Sequence, residues 1–168
     1  RGSSPQAYEH AVQSMLLAGA LALHAGGDRY QQRLSMLGGL LHDIGELYLE
    51  PALIGASEEL DLPRFVQRVV HPQRGEQLLA SLGHYPVALT RAIAEHHERL
   101  DGSGYPHAKQ ADALSPLGRL MAVTDAALAA LRGPHEQLLH ASIALRAVPG
   151  EFDLAWVGQL SRVASEQP

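Results

Sequence analysis

A chain of 168 residues with 46% hydrophobic side chains is long enough for one domain with a real core and short for two. It has no cysteine, which excludes disulfides and thiolate metal ligation, so any metal must be held by imidazole, carboxylate or water, a donor set that favours iron or manganese. A formal charge of −5 gives no field for a nucleic-acid backbone, and no apolar run reaches the roughly 20 residues a membrane helix needs.

Arg1-Gly2-Ser3-Ser4 lacks a signal-peptide pattern and reads as a cloning remnant ahead of one domain over residues 5–168, with a cytoplasmic location as the expectation. Val12, Leu16, Ala20 and Leu23 recur at helical intervals and predict a helix over residues 5–25, closed by Gly26-Gly27-Asp28. Leu34, Leu37, Leu40 and Leu41 predict a second over 29–43, with Gly45 beyond it as a helix end of positive φ. Ser57-Glu58-Glu59 can start a short helix, Pro63 opens one to residue 70, and Pro72 opens one to residue 82. Pro86 starts the next, whose apolar face of Val87, Leu89, Ile93 and Ala94 leads to His96-His97. Residues 99–115, dense in Gly, Pro, Ser and Asp, predict a long ordered loop, which inside a compact domain is usually functional. Helices over 116–132, 134–148 and 151–165 complete an all-α bundle of about seven or more helices, with no alternating β-pattern and no repeat.

Two short clusters carry the chemistry. His42-Asp43 and His96-His97 both stand at helix ends, and the second pair runs into Glu98-Arg99-Leu100-Asp101-Gly102-Ser103-Gly104-Tyr105-Pro106. A pair of divalent cations needs a carboxylate that reaches both across about 3.5 to 4 Å. Neighbouring helical residues point about 100° apart, so His42 can bind one ion while Asp43 reaches between two. Asp125, among Val123, Ala126, Ala127 and Leu128, reads as a half-buried acid in need of a partner. Taken singly, His10 on an Ala-rich helix is an ordinary surface or core histidine, His42 a partner for a helix C-terminal dipole, and His71 a residue ahead of a proline-opened helix. His24, His84, His107, His135 and His140 match no ligand position.

Gly39-Leu40-Leu41-His42-Asp43-Ile44-Gly45, His71-Pro72 with Gly75, the run from His96 to Pro106, and Arg119-Leu120-Met121-Ala122-Val123-Thr124-Asp125 resemble, in order and spacing, the HD-GYP family. This is a branch of the HD phosphohydrolase superfamily found in bacterial cyclic di-GMP signalling, and the resemblance covers most of the chain. It implies a metal-dependent phosphodiesterase that hydrolyses cyclic di-GMP to the linear dinucleotide or to GMP. It implies two divalent ions, iron or manganese, with His10, His42, Asp43 and Asp125 on one and His71, His96 and His97 on the other. Asp43 would bridge them and place the water, acidified by both, that attacks the phosphorus. Gly102, Gly104, Tyr105 and Pro106 would shape the pocket wall and offer a surface to a diguanylate cyclase-type or other signalling domain.

Two positions depart from the family pattern. The lysine that usually follows His-Asp-Ile-Gly is Glu46 here. At an effective dielectric near 20, a charge reversal about 4 Å from a phosphate changes binding by several kcal/mol. The Arg-Pro-Tyr stretch beyond the last Asp is missing, which leaves Arg132, in shifted register, and Lys109 as the remaining candidate phosphate contacts. Gln6 stands where some members carry a glutamate for a third metal, so two metals are expected. Two alternatives stay open: a regulatory module of weak or no turnover that binds nucleotide or a partner domain, and a metal phosphohydrolase for another phosphorylated compound.

Overall fold

A computed structural model describes residues 5–49, 62–131 and 137–166. The expectations for residues 1–4, for Ser57-Glu58-Glu59 and for Arg132 lie outside the described residues. Within them the chain is helical, with no strand: α1 Pro5–His24, α2 Arg29–Leu41, α3 Leu62–Val69, α4 His71–Ser81, α5 Val87–Glu95, α6 Pro116–Leu131, α7 Leu138–Arg146 and α8 Leu154–Ser165. None of these helices is long and apolar enough to cross a membrane.

The helix ends follow local chemistry. Asp28 caps α2 by accepting from the Gln31 amide at 2.8 Å while Gln31 Oε1 accepts from the Asp28 amide at 2.9 Å, a reciprocal box that fixes the turn after α1. Asp153 caps α8 through the Ala155 amide at 2.9 Å, so that helix begins three residues later than its sequence pattern predicts. α2 ends at Leu41, with His42 as its cap and a tight 3-10 turn over Ile44–Tyr48 beyond.

Three apolar clusters join the helices. Leu17, Leu21, Ala92, Leu120, Met121, Leu128 and Leu160 tie α1, α5, α6 and α8 together. Leu34, Leu79, Leu89 and Ile93 join α2, α4 and α5, and Val123, Leu145, Phe152 and Val157 join α6, α7 and α8. The second cluster positions the site, because it packs α2, α4 and α5 together and because Leu41 and Ile44, on either side of His42-Asp43, lie against it. The long loop is ordered as expected: its Leu100 amide donates to the Glu151 carbonyl at 2.9 Å, and Asp101 pairs with Gln110 in one antiparallel bridge.

Candidate metal centre

The folded chain brings five helices to one point. His10 comes from the body of α1, His42 and Asp43 from the end of α2, His71 from the start of α4, His96 and His97 from the end of α5, and Asp125 from the middle of α6. Three imidazoles are held the same way: Nδ1 lies 2.8 Å from the Gly39 carbonyl in His42, 2.6 Å from the Arg68 carbonyl in His71 and 2.6 Å from the Ile93 carbonyl in His96. A carbonyl oxygen can only accept, so Nδ1 carries the proton and each Nε2 turns inward. There the His10 and His42 Nε2 atoms stand 3.2 Å apart, and those of His71 and His96 3.1 Å apart. Nitrogen lone pairs at such distances repel unless positive charge lies between or beside them.

The carboxylates are arranged to supply the other half. Asp43 Oδ2 lies 3.2 Å from His42 Nε2 and 3.7 Å from His10 Nε2, while its Oδ1 lies 3.3 Å from His71 Nε2 and 3.5 Å from His96 Nε2. One acid therefore faces both groups of imidazoles, one oxygen to each. Asp125 faces His10 at 3.4 Å with Oδ1 and His97 Nδ1 at 3.5 Å with Oδ2. The donor atoms of His10, His42 and Asp43 lie within 4.8 Å of one another, as do those of Asp43, His71, His96 and His97, and each set could hold an ion.

The electrostatics point the same way. Burial works to lower the His42 pKa, yet the charges of Asp43 and Asp125 more than reverse it and push it up to about 9. Burial would raise the Asp43 and Asp125 carboxyls, but the surrounding imidazoles hold both below the usual carboxylate range. Burial and neighbouring imidazoles hold His96 and His97 below the ordinary histidine value. The basin thus stabilises cationic charge and keeps His96 and His97 unprotonated at neutral pH. All-nitrogen-and-oxygen donors, carbonyl-anchored imidazoles and a two-faced carboxylate fit a pair of divalent cations.

Close packing sets this geometry. Gly45 does not take the positive φ expected of it. It is needed instead because a Cβ there would run into the His71 carbonyl oxygen and the Gly75 amide, so the turn carrying Asp43 lies directly on the start of α4. Two buried glutamates that the sequence analysis passed over flank the histidine pair. Glu98 accepts from the His107 amide at 2.7 Å and the Lys109 amide at 2.9 Å. Glu95 accepts from the Ser115 amide and hydroxyl at 2.9 and 2.6 Å and from Arg91 Nε at 2.9 Å. The middle of the loop and its far end are thereby fastened to the residues beside His96 and His97. The E-H-H-E spacing was the available signal.

Gly104 and Tyr105 lie against the His97 segment of the centre. A Cβ on Gly104 would meet the His97 carbonyl and the Arg99 amide, and the Tyr105 ring stacks on His97 at 4.6 Å and 28°. Two expectations need correction. Lys109 does not present a free ammonium, because its Nζ is paired at 2.9 Å with Glu95, whose other partners are Arg91 and Ser115. Glu46 is only 5% exposed and partnered, so it is not the open negative charge that its sequence position suggests.

Comparison with known proteins agrees with this architecture. The HD domain family profile matches residues 3–148. A cyclic di-GMP phosphodiesterase of Pseudomonas aeruginosa is 32% identical over 123 residues, which is 73% of this chain and 30% of that protein. The 3'3'-cGAMP-specific phosphodiesterase 3 of Vibrio cholerae is 35% identical over 115 residues, 68% of this chain and 24% of that protein. The chain spans less than a third of the length of either relative. Its fold is shared with an HDG"Y"P protein from Bdellovibrio bacteriovorus, at a TM-score of 0.79 and 23% identity over 95% of this chain and 52% of the other. With the motif order, the helical fold and the family profile in agreement, the chain belongs to the HD domain family, in its HD-GYP branch.

Proposed function

We propose that this domain is a metal-dependent phosphodiesterase that hydrolyses cyclic di-GMP in bacterial second-messenger signalling. The observation that carries the reading is Asp43, whose two oxygens face two separate sets of inward-turned imidazoles at 3.2 to 3.7 Å. The similarity to phosphodiesterases of cyclic di-GMP and of 3'3'-cGAMP supports the substrate class.

His10, His42, Asp43 and Asp125 would hold one divalent ion, iron or manganese, and His71, His96, His97 and Asp43 the other. Such a pair supplies Lewis acidity toward phosphoryl oxygens and a lowered pKa for the attacking water. The rest falls to the chain. Asp43 sets the separation of the two groups and so the place where the nucleophile meets the phosphorus. The Gly39, Arg68 and Ile93 carbonyls hold the rings in the tautomer that leaves Nε2 free. Gly104 and Tyr105, which pack on His97, would with Pro106 form the pocket wall, and their outer side would serve a partner signalling domain in the cytoplasm.

Anaerobic reconstitution with Fe(II) or Mn(II), followed by incubation with cyclic di-GMP, tests the reading. Turnover that disappears in Asp43→Ala is expected; a fully metallated protein that leaves cyclic di-GMP intact for hours would replace it with the regulatory-module reading.

A further inference from the structure

The geometry points to Phe65 and Tyr105 as a stacking platform, at the rim of the metal centre, for one purine base of the cyclic dinucleotide; this rests on the phosphodiesterase reading above. The rings form a continuous series outward from the donors. His96 and His97 lie 4.1 Å apart, Tyr105 stacks on His97 at 4.6 Å, and Phe65 meets Tyr105 edge-on at 6.3 Å and 69°. Phe65 is the outermost ring and is 47% exposed, on the short helix α3 where Leu62 and Val66 are also exposed. The chain has two phenylalanines, and the other, Phe152, is buried in the core.

An exposed aromatic ring beside a polar centre gains little from the protein itself, and it offers a flat apolar face to whatever the centre binds. A cyclic dinucleotide carries each base one ribose away from its phosphate. A phosphate at the donor cluster therefore delivers its base to the rim, where Tyr105 and Phe65 make a corner of two rings at a steep angle. Stacking is sequence-tolerant and needs no cation. That suits a site where the family's lysine is Glu46 and where Lys109 is paired with Glu95.

The test uses a cyclic dinucleotide with one 2-aminopurine base, whose fluorescence falls when it stacks, together with initial rates on cyclic di-GMP, on Mn(II)-loaded protein. Phe65→Leu keeps an apolar side chain and removes the ring; Phe65→Trp keeps a ring. Loss of quenching and a roughly five- to 150-fold rise in KM in Phe65→Leu, with both near wild type in Phe65→Trp, is expected. The loss should fall on KM rather than kcat, because a base contact is made equally in the ground and transition states. Full quenching and an unchanged KM in Phe65→Leu overturn the platform while leaving the phosphodiesterase reading intact. Quenching that depends on Phe65 in a protein without turnover sustains the platform and overturns the phosphodiesterase reading alone.

Discussion

Glu98 is the residue whose removal should be felt furthest from its own position. Its carboxylate is fully buried and accepts two loop amides, from His107 at 2.7 Å and Lys109 at 2.9 Å. Hydrogen bonds to a charged acceptor are worth about 1.5 to 3 kcal/mol each. In Glu98→Gln one oxygen still accepts, but the new NH2 group faces the second amide donor to donor, so a loss of about 2 to 4 kcal/mol is expected. Against a total stability on the order of 5 to 15 kcal/mol, such a loss is readily measured. Urea titration should show a lower midpoint with an unchanged slope. Hydrogen exchange should show the His107 and Lys109 amides losing protection, because the loop from His97 onward has lost its anchor. A stability change within about 0.5 kcal/mol, the level of an ordinary surface substitution, with both amides still protected, would refute the reasoning.

Gly45→Ala places a methyl group against the His71 carbonyl and the Gly75 amide. A cost of about 1 to 3 kcal/mol or more in urea titration is expected, and wild-type stability would show that the turn has room to move. Glu95 predicts a specific acid response. Burial pushes its carboxyl up, but hydrogen bonds from Ser115, Arg91 and Lys109 together hold it below its ordinary 4.5. Its stabilisation is therefore complete above pH 4.5 and is lost as pH falls through the lower folded value. Tm measured downward from pH 6 should fall more steeply in the wild type than in Glu95→Gln; parallel curves would contradict the assignment.

The helices were legible because their signals are local: apolar spacing along α1, α2 and α5, and prolines near the starts of α4, α5 and α6. Their exact ends were less so, since Asp28 and Asp153 act through a backbone amide two or three residues on, and α2 stops at Leu41 where periodicity alone would carry it to Asp43. Within the candidate site, His42-Asp43, His96-His97 and Asp125 stood out as residue types that are costly to bury without a partner, whereas His10 and His71 were marked only by the family resemblance. Glu95 and Glu98 did not, because a charged residue beside a histidine pair reads as a solvated face until the loop folds back onto it. The role of Gly45 was likewise hidden: a close approach between segments distant in sequence leaves no mark on local pattern. Phe65 belongs to the same class, since only its distance to Tyr105 distinguishes it from any exposed apolar residue.

The most direct test of the account is metal content per chain together with the electron paramagnetic resonance of Mn(II)-loaded protein, for the wild type and Asp43→Ala. Two manganese ions per chain with an exchange-coupled signal, lost in the variant, is the predicted result, because Asp43 faces two imidazoles of each group, His10 and His42 with Oδ2 and His71 and His96 with Oδ1. One ion per chain, or two uncoupled ions insensitive to Asp43, would contradict it.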